Sequence, residues 1–469
     1  MTYLFLDPGA DAARRDVYRL ARSLGMGVTL IAPRDPHDPS GVDERIAANP
    51  TDPVEVLAAT AHLTDVEGVV NCSESCLRAQ AALVERHGVP GIDSETAAVC
   101  RDKQLMMRRF EQHGVPIGRR RVVSKVADIP EAVRDVGCPG VLKPSTGVAS
   151  LFTVRFDSED ELDRWFAQFD AAASGHHSAA IREMEGRWLV EEYLDGPGFS
   201  VESLTLGGET THVAVCRKGE MSQPFFLETG HTCPAPLAPE LREKMEDVAG
   251  RAIQALGIRD GITHAEMKLT TRGIRVLEVG ARMGGGSIRQ VVELATGVDL
   301  LELTLELARG QRPAGLASAG AAAAGAVGSP SDAPYGGAAS RSWFPDRPCL
   351  VRDVSRADAL LDLPGIVAVN RWTRDGDVYR LPPDGYREVL GVVATGDTPE
   401  QATARAEAAV AEAARGEVVE VDYDPAAIAA AAPREPDPAD AASAAISGVN
   451  PASAAMTDAE PASAAGSTR

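Results

Sequence analysis

No two cysteines stand at C-x-x-C spacing. The seven that occur (Cys72, Cys76, Cys100, Cys138, Cys216, Cys233 and Cys349) are scattered and odd in number. That pattern argues against a zinc knuckle, a thiol–disulfide redox motif or a disulfide framework. They read as reduced thiols in cytosol, with Cys72 and Cys76, one helical turn apart, as packing residues. A basic stripe is also missing: the net charge is −21, which argues against a nucleic-acid partner. The opening MTYLFLDPGADAARR has no cationic n-region and too short an apolar run for a secretory signal. Nothing reaches the ~18 consecutive apolar residues of a membrane span. A cytoplasmic protein is the expectation. Two common phosphate-binding loops are absent as well. No G-x-G-x-x-G follows the first apolar run, and the glycine-containing loop after Lys143 lacks the GxxxxGK[ST] pattern.

What is present centres on Thr263–Arg289, THAEMKLTTRGIRVLEVGARMGGGSIR. His264–Leu269 and Ile274–Val279 alternate with period two, the pattern of a half-buried hairpin. A loop of Thr271, Arg272 and Gly273 predicts Thr270 opposite Ile274, Lys268 opposite Val276 and Glu266 opposite Glu278. Two carboxylates would then face each other with Cβ atoms roughly 5 Å apart, which destabilises a sheet unless a positive charge lies between them. A divalent cation with oxygen ligands answers that need, and Mg²⁺ held by one or two carboxylates usually also holds substrate phosphates. The alternative is a pair of solvated carboxylates on an exposed face. Arg282 and the run Gly284, Gly285, Gly286, leading into a helical pattern from Ser287, favour the first reading. Glycines before a helix start leave backbone N–H groups open to an anion.

At 469 residues the chain has room for about three domains of usual size. Residues 1–97 alternate strand and helix, which predicts an N-terminal α/β domain with a parallel sheet. Ser94–His113 reads as one capped helix carrying Lys103, by itself an ordinary solvated charge. Residues 98–190 comprise that helix and a small α+β unit. In it Lys143 ends a strand beside a flap, placed to meet phosphate as a point charge. Residues 191–314 form the central, antiparallel-sheet domain. An Ala/Gly/Ser run over Gly315–Ala339 reads as a linker opening a C-terminal α+β module, 315–424. There Arg374-Asp375-Gly376-Asp377 signals a hairpin, and Thr398-Pro399-Glu400-Gln401 opens an Ala-rich helix with a capping box. From 425 to 469 Ala, Pro, Ser and Asp dominate, and the tail is expected to be disordered.

Five segments in order, DKQLMMRRFEQHGVP, VLKPSTGVAS, VEEYLDGPGFSVES, FLETGHTCPAPL and HAEMKLTTRGIRVLEVGARMGGG, resemble an ATP-grasp ligase. Within that superfamily they resemble the carboxylate–amine ligases that join amino acids into dipeptides. The resemblance spans residues 1–315 and implies an ATP-grasp fold with a lid subdomain. It implies Lys103 and Lys143 on the ATP phosphates. Glu191, Glu192, Tyr193 and Leu194 would line the adenine, with Glu192 at its amino edge and the Tyr193–Leu194 backbone at its ring nitrogens. Glu266 and Glu278 would hold Mg²⁺, with Mn²⁺ as the alternative ion. Arg282 and His231 would face the acyl-phosphate and the tetrahedral intermediate. Whether His231 stabilises the oxyanion or takes the amine's proton stays open. Glu228 would fix a substrate amino group. Gly284 and Gly285 would border a substrate pocket with no side chain to narrow it.

The implied activity is ATP-dependent amide formation between small amino acids or amino-acid-like substrates, giving ADP and phosphate. An ATP-grasp carboxylase or acid–thiol ligase and a non-catalytic nucleotide-binding relative are the alternatives. Dimers are common in this fold, so a homodimer is compatible with the resemblance. The chain departs from the superfamily pattern at Gly280, where Asn is frequent, at Gly198, where an acidic residue for ribose is expected, and at Leu151-Phe152, where a basic residue and glycine are usual. His212 and His264 read as packing or surface residues.

If the opposed pair holds the ion, Glu278→Gln removes a metal ligand and little packing. That variant is expected to lose ADP formation while keeping its fold, as read by circular dichroism; normal turnover would refute the metal assignment.

Overall fold

Short apolar runs build the first sheet. Thr2–Leu6 (β1), Gly27–Ala32 (β2), Glu44–Ala47 (β3) and Val66–Asn71 (β4) pair in parallel in the order β3–β2–β1–β4. β1, β2 and β4 are buried along nearly their whole length, as parallel strands covered on both faces are. β3 escapes the sequence reading because its four residues, ERIA, include two charges and bury only Ile46. The computed structural model describes the whole chain except residues 1, 9–10, 37–38, 148–149, 174–183, 185, 312–334, 383–384, 386 and 432–469, and the side chains of residues 11–15.

The helix expected over Ser94–His113 is two helices, Ser94–Arg101 and Lys103–Gln112. Asp102 between them is extended (φ −106°, ψ 107°), and its carboxylate accepts hydrogen bonds from the Gln104 and Leu105 N–H groups at 2.8 and 3.2 Å. An N-cap aspartate thus ends one helix and starts the next. Lys103 therefore stands at the first position of a new helix.

Four antiparallel strands form the lid in the order β5–β8–β6–β7: Arg120–Val123 (β5), Gly140–Pro144 (β6), Val154–Phe156 (β7) and Trp188–Glu192 (β8). The boundary drawn between residues 190 and 191 falls inside β8. Trp188 is fully buried in the lid core, with Phe169 stacked at 6.1 Å and Phe152 edge-on at 6.4 Å. Phe152 takes the left-handed conformation (φ +55°) at the position where the resemblance expects glycine. Burial of its ring offsets a conformation that costs about 1–3 kcal/mol in a non-glycine residue.

The central sheet has eight antiparallel strands. In chain order the remaining strands are Gly198–Leu206 (β9), Glu209–Lys218 (β10), Met221–Ser222 (β11), Leu227–Glu228 (β12), Gly230–Cys233 (β13), Gly261–Thr270 (β14), Gly273–Gly280 (β15), Gly337–Trp343 (β16), Cys349–Asp353 (β17), Ile366–Arg371 (β18), Val378–Tyr379 (β19), Leu390–Gly396 (β20) and Glu420–Asp422 (β21). The large sheet runs β15–β14–β9–β10–β13–β16–β20–β18. Three strands of the C-terminal segment therefore continue the sheet that carries the acidic hairpin, joined through β13 and β16. β16 begins within the run read as a linker; the rest of that run, 312–334, and most of the tail, 432–469, lie outside the described residues. The hairpin expected across Arg374–Asp377 does not form. β18 pairs with β20 in the large sheet, whereas β19 pairs with β17 in a small sheet with β21. Asp375 and Asp377 instead cap backbone N–H groups of Val354 and Arg374, at 2.9 and 2.8 Å. The capped helix does form, as Pro399–Ala414, and buries Ala402, Ala406, Ala409 and Ala413 against the sheet.

His212 on β10 packs as expected, hydrogen-bonded to Ser203 Oγ at 2.9 Å, and burial pulls its pKa down to about 4. The folded state thus disfavours its proton, so its contribution is full above the unfolded pKa of about 6.5 and is lost as pH falls toward 4, by up to about 1.4 kcal/mol per pH unit. Denaturant titrations of wild type and His212→Asn should show the stability gap closing across that window; a pH-independent gap would contradict a neutral buried imidazole.

Candidate active site

The acidic hairpin meets its expected pairing only where it matters chemically. Glu266 lies opposite Glu278, but Thr270 faces Gly273 and Lys268 faces Arg275, one residue out of the predicted register. The turn is tighter than the three-residue loop, with Gly273 at φ +89°, and a bulge between Glu266 and Met267 adds back the missing residue on β15. A bulge restores the face alternation that a shifted register would lose. Without it the two carboxylates would fall on opposite faces.

Three cations and a histidine surround this pair. Lys103 Nζ lies 2.9 Å from Glu278 Oε2. Lys218 Nζ, at the end of β10, bridges Glu266 at 2.7 Å and Glu228 at 2.8 Å. His264 links Glu202 at 2.7 Å to Glu266 at 3.1 Å through its two ring nitrogens. Burial alone would lower the His264 pKa, but Glu202 and Glu266 outweigh it and hold it up at about 10, so the ring is an imidazolium. Burial likewise opposes ionisation of Glu266 and Glu278, yet Lys218 with His264, and Lys103 with Lys143, keep both carboxyls below their usual range. The Glu266–Glu278 opposition is thus already neutralised by side chains.

Lys143 ends β6 and pairs with Glu191 at 2.7 Å; burial, which would lower its pKa, is overcome by Glu191 and Glu278. Both residues line a cleft between lid and central sheet, together with Lys103, Tyr193 and Leu194. The Glu192 carboxylate is engaged by Arg119 (3.3 Å) and by Arg272. Its carboxylate is therefore committed to these two arginines, while the residue still lines the cleft. The Tyr193 ring is held by Arg155 (4.6 Å) and Phe226 (6.4 Å), and its N–H donates to the Pro139 carbonyl at 3.3 Å. That removes this N–H from the donors expected for the adenine ring. Gly198 lines the cleft, and the Lys218 stem passes 3.4 Å from where its Cβ would lie.

A second cavity adjoins the first, and the two share Lys103, Lys218, Glu266 and Glu278. His231, Glu228, Arg282, Gly285 and Gly286 line it. His231 is buried on β13, its Nε2 3.2 Å from Glu228, short of a well-aligned hydrogen bond. Lys218 and His231 overcome burial to hold the Glu228 carboxyl well below its usual range. Arg282 Nε lies 3.1 Å from Glu74, in the N-terminal domain. Gly284 differs from the expectation: a Cβ there would sit 2.6 Å from Ile288 and 3.0 Å from His264 Nδ1. Its lack of a side chain serves packing under the helix start, and Gly285 with Gly286 borders the cavity.

Residues 136–290 match the ATP-grasp domain, and residues 341–414 match the L-amino acid ligase C-terminal domain 2. The chain carries an ATP-grasp domain. Its fold is similar to that of an L-amino acid ligase from Bacillus licheniformis, with TM-score 0.72 and 21% identity over 90% of this chain and 99% of that one. The alanine–anticapsin ligase of Bacillus subtilis (strain 168) is 27% identical over 54% of this chain and 56% of its own length. Human carnosine synthase 1 is 27% identical over 53% of this chain and 31% of its own. The chain thus spans about half or less of the length of these two relatives.

Four charged residues of the ATP-grasp site escaped the sequence reading. Lys218 closes an alternating strand, THVAVCRK, on its inward side, a signal that was available. Glu74 follows β4 directly, where ligands of parallel sheets gather beyond the strands' carboxyl ends. His264 and Glu202 are paired across β14 and β9, and nothing local announces that; His264, read as a packing or surface residue, is a buried charge. Removing one member of such a cluster leaves the others uncompensated. Lys218→Met is expected to destabilise the protein by about 3–5 kcal/mol in denaturant unfolding, with part recovered on adding MgADP; an unchanged midpoint would show that the lysine is dispensable.

Proposed function

We propose that the protein is an ATP-dependent carboxylate–amine ligase, joining amino acids or amino-acid-like substrates through an acyl-phosphate with release of ADP and phosphate. The observation that carries this reading is the junction at Lys103, Lys218, Glu266 and Glu278, where the cleft under the lid adjoins a second polar cavity. A phosphoryl group passing between two substrates needs such a shared wall. Among the described residues no group of three or more His, Cys, Asp or Glu side chains could hold a metal alone. Glu266 and Glu278 nonetheless suit Mg²⁺, or Mn²⁺ in its place, because that ion takes one or two carboxylates and completes its shell with phosphate oxygens and water. Bound there, the ion would supply charge neutralisation to the phosphates.

The protein's own groups do the rest. Lys103 and Lys143 exchange their carboxylate partners for phosphate oxygens, which positions the nucleotide and offsets its charge. Arg282, held by Glu74, faces the acid being activated. Glu228 fixes the amino group of the attacking substrate, and His231 beside it stabilises the oxyanion or accepts the amine's proton. The lid strand β6 and its flap exclude water from an intermediate that water would destroy. The stretch resembling an L-amino acid ligase C-terminal domain favours an amine acceptor over bicarbonate or a thiol. The named substrates of the relatives, among them alanine, fit small amino acids here, acting in the cytoplasm.

ADP release measured over a matrix of amino-acid pairs tests the proposal. Release that depends on both partners, with a product mass of their sum less water, is expected, and Lys143→Met should lower kcat/KM about 100-fold or more. Bicarbonate or thiol dependence would point to the carboxylase or acid–thiol alternative, and no release to a non-catalytic relative.

A further inference from the structure

One wall of the second cavity comes from the C-terminal segment, and the ligase chemistry above does not use it. Phe344 follows β16, Trp372 follows β18 and Glu388 precedes β20; all three face the cavity. Five carboxylates line that space, and four of them have cations. Glu74 is matched by Arg282 and Arg101, Glu228 by Lys218, Glu266 by Lys218 and His264, and Glu278 by Lys103. Glu388 differs: among the described residues its carboxyl has no hydrogen bond or ion pair with another side chain. The neighbouring Arg387 sends a guanidinium N–H to the Trp372 carbonyl, at 3.3 Å.

An enclosed carboxylate without a counter-ion is costly, and nearby cations normally remove that cost. Burial, with Glu228 adding to it, pushes the Glu388 carboxyl up to about 7; its own amide N–H and Arg387 pull the other way without restoring the usual value. The missing partner is therefore a cation that arrives from outside. Two aromatic side chains on the same wall suit the same guest, because ring faces attract organic cations, and more so when water is excluded. Metal chemistry is a poor match, since one carboxylate beside two hydrocarbon rings offers too few oxygens.

We infer that Glu388, with Trp372 and Phe344, forms a specificity subsite for an amino-acid substrate whose side chain carries a positive charge, a guanidinium or an ammonium. Glu388 is a second carboxylate of this cavity beside Glu228, which takes the substrate's α-amino group, so the two carboxylates read different ends of one molecule or one end of each substrate. The inference rests on the ligase reading of this cavity. It places substrate choice in the C-terminal segment and the chemistry in the ATP-grasp domain.

Arginine against citrulline, and lysine against norleucine, compare charged and uncharged side chains of like shape that keep the same α-amino and α-carboxyl groups. Calorimetry on the full chain with MgADP should show the cationic member of at least one pair binding tenfold or more tightly. Glu388→Gln should erase that ratio, raising KM for the cationic substrate while kcat stays within a few-fold. Equal binding within both pairs in the wild type, or a ratio that survives in Glu388→Gln, overturns the subsite. Because calorimetry needs no turnover, a cationic preference without amine-dependent ADP release overturns the ligase reading alone. Release without any cationic preference overturns the subsite alone. Should Glu388→Gln fail to fold, the wild-type ratios decide.

Discussion

A carboxylate withdrawn from water must have a cation beside it or give up its charge, and this constraint organises the centre of the molecule. Glu266 and Glu278 face one another across β14 and β15, which no sheet tolerates unaided. Lys103, Lys218 and His264 supply the compensating charge in the free protein. The arrangement is poised for exchange: every cation that balances a carboxylate here is also what a polyphosphate needs. Substrate binding on this scheme reshuffles existing pairs and adds few new ones.

Each structural unit contributes part of the site. The N-terminal parallel sheet sends Glu74 from beyond the end of β4, the lid brings Lys143 and Glu191, the central sheet carries Lys218, His231, Glu266 and Glu278, and the small β11–β12 sheet adds Glu228. The segments next to β18 and β20 add Trp372 and Glu388. Because β16, β20 and β18 extend the central sheet, that last wall is fixed rigidly to the strand bearing His231. A site that must hold reacting groups within fractions of an ångström is better built on paired strands than on a tethered module.

Much of this could be read from the chain. The period-two alternation of β14 and β15 announced the hairpin, and the glycine run before Ile288 announced the helix start. Lys103, Glu266 and Glu278 line both adjoining cavities, with Lys143 in the first and Arg282 in the second. Other readings failed for identifiable reasons. Residues 94–113 have continuous helical spacing, yet Asp102 prefers capping to continuing. The Arg374–Asp377 turn signal is real, but its aspartates cap the backbone and send the flanking strands to different sheets. Glu192 occupies its expected strand and still lines the cleft, with its carboxylate on Arg119 and Arg272.

Local pattern determined which segments become strands and helices, where the acidic pair and its glycines stand, and which superfamily they resemble, because alternation, capping and turn preferences act over a few neighbouring residues. Only the tertiary structure decided which charges meet. His264 with Glu202, Lys218 between two glutamates, Arg282 with Glu74, and Glu388 without a counter-ion among the described residues all depend on strands far apart in sequence being stacked in one register. Electrostatic partnership is set by distance and burial, and neither exists until the chain has folded.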